Sequence, residues 1–95
     1  MPTYISLNKW TPKGLSNSKE SPARLDKAKA AAKAAGCELK AFYMTMGEYD
    51  MVIVWEAPDD QTYAKLVLKV LSEGNVEGQS LKAFPEPEYR QIMGS

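Results

Sequence analysis

The stretch Met46-Gly47-Glu48-Tyr49-Asp50 decides how this chain folds. It lies between two strand-like runs, Glu38 to Met46 and Tyr49 to Ala57. Read as a hairpin, the connection is Gly47-Glu48, and a leading Gly suits a type II′ turn because it takes a positive φ at little steric cost. In the second run Met51, Ile53 and Trp55 fall on one face, while Asp50, Val52, Val54 and Glu56 fall on the other. Both faces carry apolar residues, so neither is expected to be fully solvated.

Toward the N-terminus, Ser21-Pro22 reads as N-cap and first position of a helix that runs to about Ala35 and stops at Gly36. Leu25, Ala28, Ala32 and Ala35 give it a narrow apolar stripe, suited to lying close on a sheet. Before it, Thr3 to Trp10 alternates as a strand: Ile5 and Leu7 point one way, and Tyr4, Ser6, Asn8 and Trp10 the other. Thr11-Pro12 then repeats the cap pattern ahead of a polar turn.

Toward the C-terminus, Pro58-Asp59 opens a second helix that ends before Gly74, with Tyr63, Leu66, Val67, Val70 and Leu71 on its inner face. Leu68 lies off that stripe and is a candidate subunit contact. Asn75 to Phe84 reads as a weaker strand, Pro85 and Pro87 punctuate it, and Glu88 to Met93 fits one or two helical turns. Gly94-Ser95 carries no structural signal. The order β-α-β-β-α-β predicts one α+β, ferredoxin-like domain over residues 1–95. Its antiparallel sheet of four strands is expected in the order 4-1-3-2, with two helices on one face. The other face, apolar at Val52 and Val54, calls for a partner, and a second copy is the usual solution.

Composition narrows the function. Twelve basic and twelve acidic residues give zero net charge, which disfavours nucleic acid and anionic membrane as partners. With no His and a single Cys37, His-ligated haem, Ser-His or Cys-His nucleophiles and the usual zinc sets are excluded. No metal or cofactor is expected. There is no apolar run of membrane-spanning length and no secretory leader pattern, so the chain reads as cytoplasmic. Cys37 reads as a small buried apolar group.

The residues left with chemical character are aromatic and polar. Tyr4, Ser6, Asn8 and Trp10 share one strand face, and a polar-aromatic stripe inside a partly closed barrel is suited to orienting a small ligand. Ser6, Asn8, Trp10, Tyr43 and Tyr49 form the candidate ligand set. Arg24, in the first turn of its helix, is expected to be solvated or paired with an acidic group, a ligand carboxylate included. Gly47 and Asp50 are expected to set turn geometry rather than chemistry.

With these segments placed, the chain resembles the GYD domain family. The likeness rests on the string Leu39 to Asp50 (LKAFYMTMGEYD), supported by MPTYISL at Met1 to Leu7, Trp10-Thr11 and SPARL at Ser21 to Leu25. EAPDD at Glu56 to Asp60, GNV at Gly74 to Val76 and LKAF at Leu81 to Phe84 complete it. The resemblance implies a dimeric α/β barrel of bacterial type with no established catalytic set. The reading that follows is a homo-oligomer binding a small organic ligand. The alternatives are a cofactor-independent monooxygenase or small isomerase, using Asn8, Trp10 and Tyr43, and a structural or partner-binding module.

Overall fold

The computed structural model describes residues 1–94. Strand β1 (Thr3–Trp10) leads to a short helix α1 (Pro12–Ser16), a 3₁₀ turn at Ser18–Glu20 and helix α2 (Ser21–Ala34). Strands β2 (Glu38–Met44) and β3 (Met51–Glu56), helix α3 (Asp60–Ser72), strand β4 (Val76–Ala83) and helix α4 (Glu86–Met93) follow. The sheet order is β2-β3-β1-β4 with antiparallel neighbours throughout, and it matches the predicted 4-1-3-2 order. The fold is α+β and ferredoxin-like. No helix of the described residues is long and apolar enough to cross a membrane.

Local chemistry explains most boundaries. The Asp59 carboxylate accepts the Thr62 N–H at 2.8 Å, which caps α3, and the Thr11 hydroxyl accepts the Gly14 N–H at 3.1 Å, which caps α1. Gly36 and Gly74 take left-handed φ values of 80° and 76° just past α2 and α3. Ser21 departs from expectation. The 3₁₀ turn before it already has helical geometry, so Ser21 sits inside α2 with φ −56° and ψ −43° and caps nothing. Gly94 departs too, ending α4 at φ 79°; Ser95 lies outside the described residues.

The largest correction concerns the hairpin. β2 ends at Met44 and β3 begins at Met51, so residues 45–50 form a six-residue loop rather than a two-residue turn. The Thr45 N–H closes it on the Asp50 carbonyl at 2.8 Å, and Gly47 has a φ of 134°, outside the type II′ range. Beyond that closing bond, Asp50 also serves β1. Its N–H donates to the Asn8 carbonyl at 2.9 Å, and its carboxylate accepts the Trp10 N–H at 3.0 Å.

The core lies between the sheet and helices α2 and α3. Tyr4, Ile53, Trp55, Ala32, Tyr63 and Leu66 are buried there with Cys37. Tyr4 and Tyr63 stack with ring centroids 4.1 Å apart. The Tyr4 hydroxyl donates to the Asp60 carboxylate, which also takes Lys82 Nζ at 3.0 Å. The opposite face carries Ile5, Leu7, Val52 and Val54, half-buried in a single chain.

At one end, three polar groups from the β1–α1 region hold the chain that follows α3. The Thr11 N–H and hydroxyl donate to the carbonyls of Asn75 (3.1 Å) and Gly74 (2.6 Å), and Lys13 Nζ donates to that of Glu73 (2.8 Å). The approach is so close that a Cβ on Gly14 would stand 1.9 Å from the Asn75 oxygen. Gly14→Ala is therefore expected to lower unfolding free energy by about 1–3 kcal/mol, read from the urea midpoint. An unchanged midpoint would show that the junction yields freely.

Burial and the Asp60 carboxylate push the Tyr4 phenol up to about 12. A raised folded-state value means its contribution is fully present below the unfolded tyrosine value of about 10 and fades between there and about 12. Tyr4→Phe is expected to remove this part of the alkaline decline in stability. The measurement is a series of urea melts across that range, and an alkaline limb identical to that of the parent would contradict the assignment.

Candidate functional site

The strand that Asp50 grips supplies the polar wall of a cavity. Alternation along β1 turns Tyr4, Ser6, Asn8 and Trp10 toward the helices. Two adjoining hollows of ≈ 110 and ≈ 240 Å³ open between this face and helices α2 and α3. They share Asn8, Ala28, Ile53, Leu66 and Val70, so they form one divided space. The small residues of α2 leave this room: Ala28 stands in the wall of both hollows, where a larger side chain would fill them.

The polar groups differ in how they are employed. Ser6 Oγ accepts the indole N–H of Trp55 at 3.0 Å, and the Tyr63 and Ser80 hydroxyls share a hydrogen bond of 2.7 Å. These fasten the sheet face and the larger hollow's floor. Trp10 is different. Its Nε1 is buried without a hydrogen-bond partner among the described residues, a state that costs about 1–3 kcal/mol. The Asn8 amide takes no part in the bonds that tie this face together, and it borders both hollows.

Charge gathers at the rim of the smaller hollow, where Arg24, Lys27 and Lys69 face a lone Glu73. Arg24 is neither simply solvated nor ion-paired. Its guanidinium donates to the backbone carbonyls of Asn17 (3.0 Å) and Gly14 (3.4 Å), and so ties the α1 turn to the mouth of the cavity. The arrangement offers an apolar body with the Trp10 ring in its wall, an amide and a cationic rim. It is suited to holding a small, mostly apolar molecule with an acceptor group, and it carries no nucleophile–base pair. Among the described residues no group of three His, Cys, Asp or Glu could hold a metal ion.

The candidate ligand set divides between the two faces of the sheet. Ser6, Asn8 and Trp10 are brought together in the cavity wall. Tyr43 is not: it pairs with Val52 on the opposite face and is 61% exposed. A β-bulge at Lys40, between the Leu39–Trp55 and Ala41–Val54 pairs, reverses the faces of every later residue in β2. Tyr49 also stays outside. Its hydroxyl accepts from Gln79 Nε2 at 2.7 Å, and Lys9 Nζ lies 5.5 Å from its ring centre.

Gly78, which borders the larger hollow, was not among the candidates. A Cβ there would stand 2.0 Å from the Leu7 carbonyl and 2.8 Å from Asn8 Oδ1. An isolated Gly inside a strand signals such close approach.

Comparison with known proteins fits this architecture. A Thermus thermophilus protein named glutamine synthetase and cystathionine beta-lyase binding protein is 34% identical over 86 residues, covering 90% of each chain. Among solved structures, a feast or famine regulatory protein from M. tuberculosis, complexed with L-methionine, superposes with a TM-score of 0.68 at 16% identity. The match covers 90% of this chain and 51% of the regulator, so the present chain spans about half that protein's length. TTHA0845, also from Thermus thermophilus, superposes with a TM-score of 0.57 at 22% identity, covering 90% of this chain and 95% of that one. Both structures show likeness of fold. The model of the GYD domain matches residues 4–93, and with the 34% identical relative it establishes that this chain belongs to the GYD domain family.

Proposed function

We propose that this chain is a non-catalytic small-ligand-binding domain that works as a homo-oligomer. The observation that carries the reading is the divided cavity, walled by apolar side chains and bordered by the unpartnered Trp10 indole and the Asn8 amide. A ligand whose polar group reaches the Asn8 amide gains a hydrogen bond that the free protein does not make there, and one that shifts the Trp10 ring can also engage its indole N–H. The cationic rim favours a carboxylate or similar group on that ligand. The L-methionine complexed with the similarly folded regulator makes amino acids a natural first class to try.

Association rests on surface arithmetic. The chain exposes 6367 Å², whereas a compact monomer of its 10.5 kDa mass would expose about 5,400 Å². Its radius of gyration is 14.0 Å against about 12 Å for a compact domain of this length. The excess, about 900 Å², marks a chain that leaves more of its surface open than a compact monomer does, as expected of one that associates. The half-buried Ile5, Leu7, Val52 and Val54 face is the natural place for a second copy.

A second reading, binding to another protein, is favoured by the relative's name and by Leu68, 68% exposed on the outer side of α3. Purified glutamine synthetase tests it directly: saturable binding lost in Leu68→Ser supports it, and no binding removes it.

For the ligand, thermal melts with L-methionine, L-phenylalanine and benzoate are the first measurement. At least one is expected to raise Tm by several degrees at saturation. Asn8→Leu, close in size, and Ala28→Phe, which fills the shared space, are each expected to abolish the shift while leaving a folded chain. A shift that survives both substitutions would place the ligand elsewhere, and no shift across the panel and a wider set of metabolites would overturn the reading.

A further inference from the structure

Arg24 is a half-buried cation with no carboxylate of its own. Among the described residues the ion pairs are Lys40–Glu38, Lys82–Asp60 and Arg90–Glu86, and none of them involves the rim of the cavity. The guanidinium bonds instead to neutral acceptors, the Asn17 carbonyl at 3.0 Å and, more weakly, the Gly14 carbonyl at 3.4 Å. Part of its donor fork is left over. Lys27 and Lys69 stand on the same rim, and Lys13 Nζ reaches its edge by donating to the Glu73 carbonyl at 2.8 Å. Glu73 is the one carboxylate there among the described residues. The rim therefore carries a surplus of positive charge above a space walled mainly by apolar side chains.

That space sets the rest of the ligand. The larger hollow, ≈ 240 Å³, is walled by Ile53, Trp55, Leu66, Val67 and Leu71. An apolar cavity of about 150 Å³ holds a benzene ring, so this one has room for an aromatic ring. Ala28 borders both hollows, and Arg24 precedes it by one turn of α2, about 6 Å along the axis. From this geometry we infer that Arg24 is the acid-binding residue of the cavity, and that the ligand is an aromatic monocarboxylate, its ring in the larger hollow and its carboxylate on a short stem at Arg24. The inference rests on the small-ligand reading and narrows it. A carboxylate is a charged acceptor that a guanidinium can hold with two parallel bonds, which makes it a better partner than the carbonyl at 3.4 Å. A neutral amide in its place forgoes the charge. An α-ammonium group beside the carboxylate would meet Arg24, Lys27 and Lys69 against Glu73 alone, so the plain acid is preferred to the amino acid.

The test uses the full chain, with dissociation constants from titration calorimetry. The probes are 3-phenylpropanoate, its neutral amide 3-phenylpropanamide, and L-phenylalanine, which adds the ammonium group. The parent is expected to bind the acid at least about tenfold more tightly than either of the others. Arg24→Gln is expected to bring acid and amide to within about twofold of each other, and Arg24→Lys to keep part of the preference, since it keeps the charge and loses the fork. The comparison is made within each variant, so a general loss of stability, which weakens both probes alike, does not imitate the effect. Ala28→Phe is expected to weaken acid and amide together. An acid preference that Arg24→Gln leaves unchanged would overturn the role of Arg24. Amide or L-phenylalanine binding the parent as tightly as the acid would overturn the ligand class. If none of the three binds while another small molecule gives a Tm shift that Ala28→Phe abolishes, this inference falls and the small-ligand reading stands; if no small molecule binds, both fall.

Discussion

The Asp50 carboxylate accepts the Trp10 N–H at 3.0 Å while the Asp50 N–H donates to the Asn8 carbonyl at 2.9 Å. Two bonds from one residue thus fix the last turn of the pleat in β1. The partner strand β3 ends its pairing with β1 at Asn8↔Met51, so beyond that point this side of β1 would otherwise be open. Hydrogen bonds to a charged acceptor are worth about 1.5–3 kcal/mol, enough to hold a strand end that thermal motion would fray. The Gly47-to-Asp50 loop is therefore a clamp, and what it clamps is the strand that carries the cavity's polar wall.

The rest follows from how little this chain can bury alone. An α2 stripe made mostly of alanine lets the helix approach the sheet, but it also leaves the hollows that Ala28 and Leu66 border. The opposite sheet face and α4 keep apolar residues at the surface. A domain of this size has a small margin between core burial and chain entropy. Both an internal ligand and a second copy would add burial. The two faces of one sheet differ accordingly: even-numbered residues of β1 face the helices, with Ser6, Asn8 and Trp10 at the cavity, and odd-numbered ones face the open side.

Much of this was legible in the residues. Alternation in β1 separated Ser6, Asn8 and Trp10 from Ile5 and Leu7, because a strand's period is fixed by its pleat. Asp59 and Thr11 were recognisable as caps, and Gly36 and Gly74 as stops. The failures have a common source in contacts distant along the chain. Nothing local shows that Asp50, besides closing its own loop, bonds to β1. Nothing in Leu39-Lys40-Ala41 shows the bulge, yet that single extra residue moves Tyr43 to the opposite face. Arg24 could not be read either, since its partners are carbonyls of the preceding turn.

The clamp is tested most directly by amide hydrogen exchange at Trp10. The account expects this amide to be protected in the parent chain and to exchange roughly 10- to 100-fold faster in Asp50→Ala, with the β1–β3 amides little changed. Equal exchange at Trp10 in the two proteins would contradict it, and would mean that the strand end is held by something other than Asp50.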